Sequence, residues 1–394
     1  MRHFVSSTLA VACLLFAAPV VAGSKPVEPA PINIDAPPTA AFTDSTAAGL
    51  AGTKRVAITS VIVAFQSSTG AIAGPGMFFR MFQSKDEVLS VMAIPGMNSH
   101  LQDDLAESAY LALVTELKAQ GFEIVPQSQI AANANYQAII QRSGYANHSR
   151  FANAMGDVEF VGPEGLATYM PYQGELGPFH FPSKTYLGWT SGMGGKSMTP
   201  GGPSIISMAD AWKVPGFEVA LAKELNANVV KAFYVVSLGK ADAKRKTSFS
   251  TSQHSGLFTS GGNLYSGNYT TLDRTITGTG QAFAQVGLVA DQSRIAFRTP
   301  TGNAKWQKVP ATKMGPAKDG DVVVRLAEPI IGSTDYFSVH QGDLVKRSGF
   351  LSGTQKGDIN LNFVARISDP VGYGKEVTGM IEAANHAMLG LVKQ

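Results

Sequence analysis

Gly192–Ser197 reads GMGGKS and comes nearest, of any stretch in this chain, to a phosphate-binding loop. Such a loop wraps phosphates in backbone N–H groups, and the wrap needs a glycine five positions before Gly195. Thr190 stands there instead, so the run reads as a glycine-rich turn. Ser191 follows Gly188-Trp189-Thr190 and lacks the G-x-S-x-G spacing that exposes a nucleophilic serine on a strand-to-helix elbow. The histidines His100, His148, His180, His254, His340 and His386 are scattered. No two of them have the spacing of zinc ligands on one helix or in one short loop. Asp103, Asp104 and Glu107 crowd together and could do acid–base work. They also fall near a helix N-terminus, where the dipole favours acids, and that explains them more simply. No catalytic residue, cofactor site or metal site is assigned from these patterns. A secreted hydrolase remains the alternative, with His180 meeting a distant serine and aspartate.

Two apolar, aromatic stretches are better suited to holding a partner. Met77, Phe78 and Phe79 lie in a loop from Gly70 to Phe82 that Gly70, Gly74, Pro75 and Gly76 break up. Tyr172, Phe179, His180, Phe181 and Trp189 lie between about Gln141 and Ser207, where periodicity is lost among Pro171, Pro178, Pro182, Pro200 and Pro203. A long irregular stretch inside a domain is often functional. These eight residues are the candidate partner-binding set.

The N-terminus suggests a compartment. Arg2 and His3 precede an apolar run from Phe4 to about Val21, which ends in Val20-Val21-Ala22. That is the pattern of a secretory signal peptide over residues 1–22, cleaved after Ala22, and it predicts a periplasmic or extracellular protein. The single cysteine, Cys13, lies inside that run. The mature chain is then expected to hold no disulfide, and lipidation at Cys13 is disfavoured because Leu14, Leu15 and Phe16 continue the apolar run. Losing Arg2 leaves 31 of the 32 basic residues against 29 acidic ones. A balance so near neutral gives no concentrated basic face for nucleic acid. Lys240, Lys244, Arg245 and Lys246 form the one dense basic stretch, read as a solvated turn.

The elements follow from periodicity. Residues 23–53, with Pro26, Pro29, Pro31, Pro37 and Pro38, predict a poorly ordered Pro/Ala-rich leader. Arg55–Phe65 (RVAITSVIVAF) predicts a strand buried on both faces. Ser99–Gln120 predicts a helix, with Leu101, Leu105, Ala109, Leu113 and Leu117 as its inner stripe and Ser99 with Gln102 as a capping box. Gly121 ends that helix, Phe122–Val125 is a short strand, and Pro126 opens a second helix. A helix near Gly216–Asn226 leads into a buried strand, Asn228–Leu238. Short strands then follow at Thr247–Gln253, Thr270–Thr277, Gln281–Val289, Arg294–Arg298, Asp321–Leu326, Tyr336–His340 and Asp358–Ser368. A helix from about Gly374 closes the chain. The strands between Thr247 and Gln285 could be membrane hairpins, but Leu264, Ser266, Asn268, Thr270, Leu272 and Arg274 present no clean apolar face.

RVAITSVIVAF, LALVTELKAQGFEIVPQSQI, VALAKELNANVVKAFYVVSL and INLNFVARISDP, in that order, resemble the curli-secretion (CsgG-like) envelope proteins and the related N-terminal domain of TolB. The resemblance implies a non-enzymatic role as an assembly factor, periplasmic partner or subunit of a ringed secretion channel. The absence of a lipid-attachment cysteine and the Gln141–Ser207 insertion depart from it.

The expected fold is α/β (α+β). A mixed sheet with packed helices fills one domain over residues 54–394, with a hairpin-rich C-terminal half and a closing C-terminal helix. The expected function is an envelope assembly or binding module. It would have another envelope protein as partner, no nucleic acid, and room for membrane contact without a transmembrane helix and for oligomerisation. An oligomeric channel subunit is the further alternative.

Overall fold

The computed structural model describes residues 38–42, 50, 53–73, 88–153, 156–169, 213–260, 263–290, 292–301, 321–341 and 359–392. Its frame is a mixed sheet built on two long apolar strands. These are β2 (Arg55–Gln66) and the start of β10 (Asn228–Ser260), which pair in parallel from Asn228↔Val56 to Val236↔Phe65. Both runs are β-branched and nearly uncharged, as strands covered on both faces must be. The short β5 (Glu123–Ile124) pairs in parallel with the start of β2, and antiparallel partners extend the sheet on either side. On one side lie β12 (Arg294–Arg298), β13 (Asp321–Leu326) and β1 (Ala40–Phe42). On the other lie β8 (Gly156–Val161) and the edge strand β7 (Ser149–Asn153). The fold is α+β with a closing C-terminal helix, as the sequence predicts.

Helices cover both faces. On one face pack α1 (Ser99–Ala119) and α5 (Pro370–Leu389). Leu105, Ala109, Leu113 and Leu117 of α1 join Val377, Ile381, Ala384 and Met388 of α5 over Val56, Ile58, Val61, Val63 and Phe65. On the other face lie α2 (Gln127–Ala131), α3 (Ala134–Ser143) and α4 (Val214–Leu225). There Ile130, Ile139, Leu221 and Ala222 close over Ala57 and Val229. The fully buried Tyr234 hydroxyl donates to Asn385 Oδ1 at 2.6 Å and ties β10 to α5. Burial pushes its pKa upward.

Several local expectations are revised. The N-cap of α1 is Asn98, whose side chain accepts from His100 N, so the Ser99–Gln102 capping box does not form. The second helix is two, α2 and α3, with Asn133 capping α3. The leader contributes β1, which pairs along β13 from Ala40↔Leu326 to Phe42↔Val324. Residues 141–169, read as irregular, carry the end of α3, then β6 (Gly144–Tyr145), β7, β8 and β9 (Thr168–Tyr169).

The largest departure concerns β10. It does not end at Leu238 but runs 33 residues, paired with the 26-residue β11 (Asn263–Leu288). The strands expected at Thr247–Gln253, Thr270–Thr277 and Gln281–Val289 are segments of this single hairpin, and Lys240–Lys246 is strand, not turn. A second sheet, ordered β15 (Phe337–Gln341), β16 (Ile359–Ile367), β4 (Val88–Ala93) and β3 (Ser68–Ala73), packs on its root. Met92, Ile94 and Ala365 bury Leu238 and Ala284 there.

Gly239 lies at a register shift where β10 leaves the main sheet. Its φ is +123°, and a Cβ would lie 2.7 Å from Gln285 N and 2.9 Å from Ala284 Cα. Gly239→Ala is therefore expected to lower stability by about 1–3 kcal/mol. Urea unfolding of the two proteins checks it, and equal midpoints would contradict the strain argument.

Candidate functional site: the long hairpin

The hairpin carries the paired strands β10 and β11 well past the other strands of the main sheet. β2 ends beside Val236, where the side chain of Gln66 takes the next N–H of that edge, accepting from Leu238 N at 3.2 Å. On the outer edge of β11, β14 (Ile330–Ile331) pairs only with Gly287 and Leu288. The second sheet reaches about as far as Gly280, which sits against Ser90 and Leu361. Beyond it come the 16 register pairs from Arg245↔Gly278 to Ser260↔Asn263. Among the described residues these strands pair only with each other. At about 3.4 Å per residue they span roughly 50 Å.

The register shows what this ribbon can offer. One set of alternate positions holds Thr247/Ile276, Phe249/Arg274, Thr251/Leu272, Gln253/Thr270, Ser255/Asn268, Leu257/Ser266 and Thr259/Leu264. The other holds Ser248/Thr275, Ser250/Asp273, Ser252/Thr271, His254/Tyr269, Gly256/Gly267 and Phe258/Tyr265. Neither set gives the continuous apolar band that a lipid-facing strand needs. What the ribbon does present, on both sides, is backbone: two long rows of N–H and C=O groups. Such rows are strong obligatory hydrogen-bonding groups and templates for a further strand. A two-stranded ribbon is at best marginally stable alone in water, and a third strand stabilises it.

The arms differ in charge. From Gly239 to Ser260, β10 carries Lys240, Lys244, Arg245 and Lys246 against Asp242 alone. From Asn263 to Ala284, β11 carries only Asp273 and Arg274. Lys240, Asp242 and Lys244 are exposed.

The sequence-chosen residues Met77, Phe78, Phe79, Tyr172, Phe179, His180, Phe181 and Trp189 all lie outside the described residues. The ends of one of their segments are placed, however. β3 stops at Ala73 and β4 starts at Val88, paired to each other and next to the start of β16 at Ile359. Along β11, Ala284 shares a cluster with Ala365, and Gly280 lies against Leu361. Moving toward the tip therefore moves toward this end of the second sheet.

Two charged clusters escaped the sequence reading. Glu218 of α4 is fully buried. Its Oε1 accepts from Lys231 Nζ at 2.6 Å and from the Tyr169 hydroxyl at 3.1 Å, and its Oε2 accepts from Arg298 Nε at 2.7 Å. Burial alone would push the carboxyl up; the charges and hydrogen bonds of Lys231 and Arg298 bring it below its ordinary value. A carboxylate so enclosed clamps α4 to β10 and β12. The second cluster joins His148 to Asp103 and Glu159, so Asp103 has a specific partner beyond any helix-dipole role. Among the described residues no group of His, Cys, Asp and Glu has a metal-holding arrangement, and no helix is long and apolar enough to cross a membrane.

Comparison with protein-family models, curated proteins and solved structures finds no match to this chain.

Proposed function

We propose that this chain is a non-enzymatic assembly module of the bacterial cell envelope, acting outside the cytoplasm, whose working part is the long hairpin. The observation that carries this reading is the pair of bare hairpin edges, among the described residues, over the 16 pairs from Arg245↔Gly278 to Ser260↔Asn263. A polar ribbon of that length binds by strand addition: main-chain hydrogen bonds supply affinity, and alternate side chains supply selectivity.

The partner that fits is a second copy. The free edge of β10 and the free edge of β11 lie on opposite sides, are equally long and run antiparallel. β10 of one copy beside β11 of the next continues an antiparallel sheet. It also sets the basic β10 arm against an arm of balanced charge. Pairing β10 with β10 would run the strands in parallel when the hairpins point the same way, and would bring two basic rows together, which is unfavourable. Head-to-tail pairing of this kind closes into a ring or continues as a filament. A ring is what the resemblance to curli-secretion proteins implies.

Size-exclusion chromatography with light scattering on protein lacking residues 1–22 tests the reading. The expected result is a defined multiple of the single-chain mass that persists on dilution. A monomer at every concentration would overturn self-assembly.

A further inference from the structure

We propose that His148 is a proton-dependent latch between α1 and the edge hairpin β7–β8. This inference rests on the groups around the ring and not on the assembly reading. His148 Nε2 lies 2.9 Å from Asp103 Oδ1 on α1, and Nδ1 lies 2.9 Å from Glu159 Oε1 on β8. Ionised carboxylates only accept hydrogen bonds, and a neutral imidazole has one N–H. Both contacts are hydrogen bonds only when the ring carries two protons. With one proton, a nitrogen lone pair faces a carboxylate and one of the two links is lost.

The surroundings determine which link opens. Arg150 of β7 donates from Nε to Glu159 Oε2 at 2.9 Å, so Glu159 stays neutralised without His148. Among the described residues, Asp103 is hydrogen-bonded to His148 and to the amide of Asn147, 3.5 Å away. Asn147 itself is fixed to the end of β8, accepting from Gly162 N at 2.8 Å and donating to Gly162 O at 3.2 Å. The charged groups facing the ring are thus Asp103 from α1, Glu159 from β8 and, across Glu159, Arg150 from β7. Deprotonation releases α1 and leaves β7 and β8 joined to each other.

The backbone bears the same mark. His148 has φ +61°, one of two non-glycine residues with positive φ in the described chain. A residue held there persists where its surroundings hold it. What parts from α1 is the β7–β8 hairpin, whose outer strand β7 is the terminal strand of the main sheet. The latch therefore governs a sheet edge.

The test uses the intact protein. Long-range proton–nitrogen NMR reads the protons on the His148 ring, and hydrogen exchange of the β7 amides is followed at about pH 5 and pH 8, corrected for intrinsic exchange. The expected result is two ring protons at the lower pH, one at the higher, and a fall in β7 protection of about tenfold, the size of one charge-assisted hydrogen bond. Asp103→Asn, at a half-exposed position, should remove that step and leave the fold intact. A single ring proton at the lower pH, or equal protection at both in the unaltered protein, would overturn the latch.

Discussion

Glu218→Gln is expected to destabilise the protein by about 3–5 kcal/mol, the range for removing one partner of a buried ion pair. Glu218, Lys231 and Arg298 are all nearly or fully buried, and one carboxylate serves both cations. A glutamine keeps the shape and some hydrogen bonds but removes the charge that both cations face, at 2.6 and 2.7 Å. Loss of roughly 10 °C in unfolding temperature is the calorimetric form of the same expectation. Replacing all three residues with apolar ones of similar volume should recover most of that loss, because the desolvation cost disappears along with the attraction. The pH dependence has a definite sign. The carboxyl is held below its ordinary value in the folded chain. Its contribution is present above the unfolded carboxyl range, near pH 4, and is lost as the pH falls through the lower folded value. Glu218→Gln should therefore flatten the acid limb of the stability profile. An unchanged profile with unchanged stability would show that the cluster is not the clamp described.

Shortening the hairpin should abolish assembly and spare the body. Joining Lys244 to Thr279, which already pair, through an Asn-Gly turn removes residues 245–278 at a point where the strands are in register. The core clusters formed by Leu238, Ala282, Ala284, Val286 and Leu288 all lie on the retained side of that joint. The expected product has the mass of one chain by light scattering. Its unfolding temperature should stay within a few degrees of the parent, since few cooperative contacts are removed. A shortened protein that still assembles would locate the interface elsewhere, with the segments around Met77 and Phe179 next in line.

How far the sequence was legible follows the physics of each element. Arg294–Arg298 and Asp321–Leu326 emerge with the bounds read from sequence, because short apolar runs between turn residues define a strand at both ends. The stripe of α1, repeating every four residues, marks that helix, and its cap lies one residue earlier than the sequence predicts. The hairpin was fragmented because a Ser/Thr-rich ribbon that is polar on both faces has no period-two hydrophobic signal. One clue was present: Gly261-Gly262 sits between Ser260 and Asn263, the spacing of a two-residue hairpin loop. Lys231 within NVVKAFYVVSL was another, since a charge inside a buried strand requires a buried partner. Its partners, Glu218 and Arg298, are distant in sequence, as Asp103 and Glu159 are from His148. Such pairings are set by topology, and no local spacing encodes them. The candidate residues in 74–87 and 170–212 fall outside the described chain and stand as first proposed.

Cross-linking between two single-cysteine proteins tests edge pairing most directly. With residues 1–22 removed, the chain has no cysteine of its own. One protein carries Ser252→Cys on β10 and the other Thr271→Cys on β11. Head-to-tail pairing predicts disulfide-linked species that contain both proteins, formed on mixing and far exceeding either self-linked product. Self-linked Ser252→Cys dimers as the main product, or no linkage in an assembled sample, would contradict it.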